Sequence, residues 1–258
     1  MVRHNLLLLL WLCFALTGCG RDTARNVRGE SAFSPIRKHY IAYGKPFHIG
    51  KLFYYDDFAQ MSDNWAAETV PGSCITVSRG ILDINVPGGC TVWFTPKLIG
   101  PVMIEYEAVV IKADGPNDRV SDLNCFWMAS DPAHPDSILD SSRGGRFDKY
   151  DNLSLYYVGY GGNDNSTTRF RRYNGDGTKP LLPQHNLREN QYLIKCNKKM
   201  KIQLVAIKEL VQYYRNGELL FELNDPEPLT RGRFGFRTIR SHIHISKFRV
   251  YQLSLIEK

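Results

Sequence analysis

VQYYRNGELLFELNDPEP, residues 211–228, holds Asn216-Gly217 between two runs of alternating apolar and polar residues. An Asn-Gly pair supplies the two positive φ angles of a type I′ turn, whose twist matches that of paired antiparallel strands, so the stretch predicts a β-hairpin. The same pattern continues outward in both directions. Strand-like runs fall at 51–58, 74–78, 81–86, 91–94, 102–112, 123–129, 153–160, 167–173, 200–207, 210–215, 218–223, 233–239 and 243–255, with Gly, Pro or Asn turn signals roughly every ten residues. No long helical periodicity competes with them. Many short strands in about 210 residues predict one all-β domain, a sandwich or a barrel.

The run Met103–Val110 shows how such a strand is built. Ile104, Tyr106, Ala108 and Val110 alternate with Met103, Glu105, Glu107 and Val109, giving a core face and a partly polar face that carries both glutamates. Glu105 is a candidate substrate contact on this reading, and equally a cross-strand partner for a cation.

Residues 1–18 carry one cation, Arg3, then an apolar run from Leu6 through Phe14, then Leu16-Thr17-Gly18-Cys19. The run is shorter than the roughly 20 residues a spanning helix needs, and small residues directly precede a cysteine. This is the layout of a signal peptide ending in a lipobox. Cys19 is the expected lipidated first residue of a bacterial lipoprotein of the cell envelope, periplasmic or outer-membrane, touching the membrane through its anchor only. The alternative is a plain secretory signal with a chance cysteine. Residues 19–45, rich in Arg, Ser and Gly, are the expected linker and 46–258 the folded domain.

The formal charge is +7, and loss of Arg3 with the signal leaves +6. That excess suits an acidic ligand or an anionic lipid surface. No nucleic-acid module signature is present. Cys74, Cys90, Cys125 and Cys196 remain in the body, where three disulfide connectivities are open and no zinc-type spacing occurs.

The chemistry concentrates in YYVGYGGNDNSTTRFRRY, residues 156–173. In an extended strand Thr167, Arg169, Arg171 and Tyr173 share one side, and Thr168, Phe170 and Arg172 the other. Guanidinium forks match carboxylates, sulfates and hydroxyls, and tyrosine rings match the apolar faces of pyranoses. Gly161 and Gly162 either admit a ligand to the backbone or supply positive φ at a turn. Asp122 and Asn124 alternate onto one face. Trp127 and Trp93 lie in apolar runs and are read as core or as sugar platforms. His185 sits in a Pro-rich loop. His242 and His244 share a face, but no third ligand is evident and no metal site is assigned. A structural calcium held with help from Asp57 and Asp131 is the one cofactor considered.

The ending from Val211 to Leu253 resembles the last strands of the concanavalin A-like lectin/glucanase jelly rolls. Together with DDF (56–58), GGCTVWF (88–94), DRVSDLNCFWMASDP (118–132), YYVGYGGN (156–163), TTRFRRY (167–173) and FGFRTIRSHI (234–243), it is similar over roughly residues 51–253 to an uncharacterised family of exported bacterial proteins. The resemblance implies a jelly-roll β-sandwich of two antiparallel sheets, one bent into a glycan groove, and a setting in polysaccharide utilisation. The ExDxxE strand of laminarinase-type glycosidases is absent here. Alginate-lyase-type relatives use Arg, Asn or Gln, His and Tyr instead, an inventory closer to this chain.

β-Elimination from a uronate needs a cation for the carboxylate, a base for the C5 proton and an acid for the leaving oxygen. The candidate catalytic residues are Arg169, Arg171, Tyr156, His185, Asn124 and Asp122. The candidate substrate contacts are Tyr160, Tyr173, Asn163, Trp127, Glu105 and His242. The leading expectation is a lyase acting on an acidic oligo- or polysaccharide. A non-catalytic glycan-binding protein and a glycosidase of the same fold are the alternatives.

Overall fold

The two longest strands, 81–99 and 231–255, set the architecture, because they pair with each other and between them with five of the other twelve described strands. The computed structural model describes residues 41–42, 45–135 and 137–256. The expectations for the signal, Cys19 and nearly all of the linker lie outside the described residues. The strands are β1 (Ile41–Ala42), β2 (Lys45–Asp56), β3 (Trp65–Thr69), β4 (Cys74–Ser78), β5 (Ile81–Ile99), β6 (Val102–Val110) and β7 (Asn124–Ser130). They continue with β8 (Ser154–Gly161), β9 (Thr167–Asn174), β10 (Asn186–Leu187), β11 (Met200–Ile207), β12 (Leu210–Arg215), β13 (Glu218–Asn224) and β14 (Arg231–Leu255). All pairings are antiparallel. Hydrogen bonding runs in the order β10-β9-β8-β7-β14-β6-β11-β12-β13, while β14 also pairs with β2 and β5, and β5 with β3 and β4.

The hairpin at 211–228 forms as its sequence requires. Asn216 and Gly217 take φ of 51° and 77° between β12 and β13. In β6, Ile104, Tyr106, Ala108 and Val110 enter the main core, whereas Glu105 pairs with Lys201 at 2.7 Å and lies opposite Gln203 and Arg249 on the neighbouring strands.

Two expected boundaries dissolve. The runs 81–86 and 91–94 are one strand, because Pro87-Gly88-Gly89 does not turn. Gly89 instead gives passage to another backbone: a Cβ there would lie 2.0 Å from the Gly145 carbonyl oxygen. The runs 233–239 and 243–255 are likewise one strand, interrupted by a register shift at Arg240, which takes φ of 44°. A bulge of this kind reverses which residues face inward. Before it Phe234 and Phe236 enter the core, and after it Ile243 and Ile245 do.

The main core fills the space between the inner sheet faces with aliphatic and aromatic side chains, among them Tyr156, Val158, Tyr160 and Phe170 from β8 and β9. A second cluster covers the other face of the same strands. Trp93, Phe126, Tyr150, Leu155, Tyr157 and Tyr173 pack there with Ile138 and Leu153. Glu68, buried on β3, joins that cluster to the covering segment through Arg143 (3.1 Å), the Asp140 amide (2.9 Å) and the Tyr150 hydroxyl (2.6 Å). This second layer forms the floor and wall of a pocket. Cys74, Cys90, Cys125 and Cys196 are free thiols. Burial pushes Cys90 up to about 11 and Cys125 to about 12.

Candidate functional site

The pocket, about 290 Å³, opens on the outer face of β7, β8, β9 and β14. Strand alternation selects its lining. From β9 come Thr167, Arg169, Arg171 and Tyr173, the side foreseen from the sequence. From β8 come Tyr157 and Gly159, which lie opposite Arg171 and Arg169 in the antiparallel register. Asn124 on β7 lies opposite Arg237 on β14, and both reach the pocket, with Asp122 and Asn163 at one end and Phe147 and Lys179 at the other.

The three arginines are held by neutral groups. Arg169 donates from Nε to Asn186 Oδ1 at 2.8 Å, and Arg171 donates to the Lys179 carbonyl. Arg237, 2% exposed, donates from Nη1 to the Cys90 and Thr238 carbonyls, both at 2.8 Å. Its guanidinium also lies over the rings of Phe147 and Tyr150, 5.4 and 5.5 Å from their centroids, and its Nε has no hydrogen-bond partner among the described residues. None of the three makes an ion pair with a carboxylate among the described residues. Burial, then the charges of Arg171 and Arg188, pulls Arg169 below the ordinary arginine value, and burial does the same to Arg237. By contrast, Lys179 pairs with Asp151, and Asp122 pairs with Arg119 while accepting from Ser121 at 2.7 Å and Asn124 at 3.2 Å.

Tyr157 fits because residue 159 is glycine. A Cβ there would stand 2.5 Å from the Tyr157 hydroxyl oxygen. Burial raises Tyr157 and Tyr173 well above the ordinary phenol value, so both hydroxyls are protonated near neutrality.

Of the residues singled out from sequence, Asp122, Asn124, Asn163, Arg169, Arg171 and Tyr173 meet in this pocket. The structure places the others elsewhere. Tyr156 faces the main core and donates to Asp225 Oδ2 at 2.7 Å. Tyr160 faces the same core, donating to the Leu193 carbonyl at 3.2 Å. His185 is buried against Phe170 and Phe221 with Nε2 at 3.0 Å from the Glu222 carbonyl, and burial lowers its pKa. Trp127 is fully buried between Tyr156 and Phe170, and Trp93 is fully buried against Phe126. Glu105 is the cross-strand partner described above, and His242 meets Asp83 and Asp118. Asp57 caps its own turn at the Ala59 amide, and Asp131 binds Arg143 and His134, so these two carboxylates serve separate local contacts. Gly161 takes φ of 66° at the end of β8, and the next residue, Gly162, lines the pocket.

Tyr157, Arg237, Lys179 and Phe147 escaped the sequence reading. Tyr157 depends on the turn: only a hairpin turning over 162–166 pairs it with Arg171 and so puts it on the arginine side. Arg237 alternates with Phe234 and Phe236, but its approach to β7 depends on a pairing distant in sequence.

Comparison with solved structures gives the fold. A protein of unknown function with a galectin-like fold from Bacillus subtilis matches with a TM-score of 0.63 at 18% identity, covering 80% of this chain and 98% of that one. An endo-β-1,3-glucanase from Pyrococcus furiosus matches at 0.51 and 12%, covering 86% and 100%. The carbohydrate recognition domain of Emp46p in its metal-free form matches at 0.51 and 16%, covering 76% and 94%. At such identities the likeness establishes a concanavalin A-like jelly roll. No curated protein matches the sequence. Residues 84–248, which include every residue that lines the pocket, match one family, and the chain belongs to it: the domain of unknown function DUF6250.

Proposed function

We propose that the pocket binds an acidic saccharide, a uronate-bearing oligo- or polysaccharide, through Arg169, Arg171 and Arg237. One observation carries this reading: three guanidiniums converge on one pocket without a carboxylate partner among the described residues. Half-buried or buried cations are ordinarily paired, since desolvating a lone charge is costly. A ligand carboxylate would complete them, with bidentate charge-assisted bonds that a hydroxyl does not match. Phe147, 37% exposed, supplies ring surface for a pyranose, the buried Tyr157 and Tyr173 back the arginines, and Asn124 and Asn163 supply amides for the sugar hydroxyls.

β-Elimination asks more of the site. It needs a base for the C5 proton, yet Tyr157 and Tyr173 are held protonated and Asp122 already accepts from Arg119, Ser121 and Asn124. The geometry therefore favours recognition over turnover. The envelope setting read from residues 1–19 belongs to the same proposal, and Cys19→Ala should release the protein from the membrane fraction.

The test is a panel of pectic, alginate-like and neutral glycans, read both by calorimetric titration and by the ultraviolet absorbance of unsaturated uronates. Binding of an acidic glycan that is lost in Arg169→Ala/Arg171→Ala, with no unsaturated product, is expected. Ultraviolet-absorbing product would convert the reading to a lyase, and failure of every acidic glycan to bind would overturn it.

A further inference from the structure

Beyond the pocket, β14 and β5 bring together a second set of groups. Asp83 lies directly across from His244, and Asn85 across from His242. Strand alternation then puts Asp83, His242 and His244 on one face, opposite Ile243 and Ile245 in the core. His242 Nε2 is 3.1 Å from Asp83 Oδ1, His244 Nε2 is 3.8 Å from Asp83 Oδ2, and one ligand atom from each residue lies within 4.8 Å of the other two. Close as they are, His242 Nε2 and Asp83 Oδ1 make no hydrogen bond: both atoms are buried and have no hydrogen-bond partner among the described residues.

We propose that Asp83, His242 and His244 form a binding site for a late first-row divalent cation of the zinc type, with Asp118 as the outer carboxylate that orients His242. Asp118 Oδ1 lies 2.9 Å from His242 Nδ1, so the ring donates there and its Nε2 lone pair is directed at Asp83. Asp118 is itself fixed, its Oδ2 accepting from the Ala113 amide at 2.7 Å and the Gly115 amide at 3.0 Å. A carboxylate bound to the far nitrogen is the usual support of a metal-ligating imidazole. In a tetrahedral site with bonds of about 2.0–2.1 Å, ligand atoms stand about 3.3–3.4 Å apart, a value bracketed by the two contacts to Asp83. Two imidazoles and one carboxylate suit zinc, cobalt, nickel or iron better than calcium or magnesium, which prefer oxygen ligands. Three protein ligands leave a coordination position for water or another molecule. The cation would clip β5 to β14. Through Asp118 it would also fix the segment whose Arg119 pairs with Asp122 at the pocket end.

The test uses the full chain without a polyhistidine tag, its accessible thiols alkylated, stripped by chelator and titrated with zinc chloride in a calorimeter. Saturable uptake of one equivalent is expected, with cobalt giving the absorption bands of a tetrahedral centre. His244→Ala and His242→Ala should weaken zinc binding at least about 100-fold, and Asp118→Asn about 10–100-fold, as losses of an outer partner do. Circular dichroism checks each fold, and if His242→Ala unfolds, His244→Ala and Asp118→Asn decide the matter. No saturable zinc uptake by the unaltered chain, or uptake unchanged in the folded variants, overturns the proposal.

Discussion

Gly159→Ala tests the pocket wall with a single methyl group. The added Cβ would stand 2.5 Å from the Tyr157 hydroxyl oxygen, 2.9 Å from Cζ and 3.1 Å from Cε1. Ordinary contact begins near 3.4 Å, so the hydroxyl must retreat by about 0.9 Å, the difference of those two values. The ring has little room to do so, being packed against Phe126 and Phe147 at 5.6 Å and Tyr173 at 5.8 Å between centroids. Overpacking of this size costs about 1–3 kcal/mol. Alanine recovers about 0.5–1 kcal/mol relative to glycine in a strand, leaving a net loss of up to about 2.5 kcal/mol. For a domain of this size that is a fall in Tm of up to about 10 °C, read by calorimetry. Removing the nearest atom should restore part of the loss, so Tyr157→Phe/Gly159→Ala should show coupling of about 0.5–2 kcal/mol in a double-mutant cycle. Acidic-glycan affinity should fall in Gly159→Ala because the displaced ring narrows the pocket. An unchanged Tm together with zero coupling would refute the placement of Tyr157.

Two further outcomes follow from the buried tyrosines. Tyr156→Phe leaves the Leu229 amide and one Asp225 contact unsatisfied, a loss of about 1–3 kcal/mol in urea denaturation, while glycan affinity stays unchanged; lost affinity with stability intact would return Tyr156 to the site. Tyr106, Tyr157 and Tyr213 are raised well above the ordinary phenol value by burial, so the fold favours their protonated forms. That contribution is complete below the unfolded value of 10.0 and is lost as pH rises above it toward the folded values. Denaturation midpoints should therefore hold to about pH 9 and fall steeply beyond pH 10, with the tyrosinate absorbance of these three appearing only as the chain unfolds. Tyrosinate formation by all tyrosines of the folded protein near pH 10 would contradict the burial.

Period-two alternation made most of the strands legible, and in β6 it separated a core face from a partly polar one, whereas β9 carries arginine on both sides. Tyr156-Tyr157 offered no such separation. Two adjacent tyrosines look alike in sequence, and only the β8–β9 register shows that Tyr157, not Tyr156, joins Arg171. His185 misled for a related reason: a Pro-rich segment suggests a surface loop, yet it tucks the ring against Phe170 and Phe221. Asp83 was invisible as a partner of His242 and His244 because it lies on β5, some 160 residues away, counting from 83 to 242 and 244. Local composition carries the pitch of a strand; pairings distant in the chain carry the site.

The treatment of arginine elsewhere in the chain bears on what the pocket is for. Arg172 and Arg171 are neighbours on one strand and point to opposite faces. Arg172 meets the buried carboxylate of Asp225 at 2.8 Å, while Arg171 meets only the carbonyl of Lys179. Arg143 binds Glu68 and Asp131, Arg119 binds Asp122, and Arg215 binds Glu218. Those four each meet a carboxylate, whereas Arg233 donates to the Thr95 carbonyl at 2.7 Å. Around the pocket arginine is positioned by carbonyls, an amide and ring faces, which fix its direction without neutralising its charge. A carboxylate introduced beside it would therefore act as a competitor for an acidic ligand. Asn186→Asp, set 2.8 Å from Arg169 Nε, should leave Tm unchanged or slightly raised yet weaken acidic-glycan binding, and tighter binding in that variant would show that the open charge is not what the pocket uses.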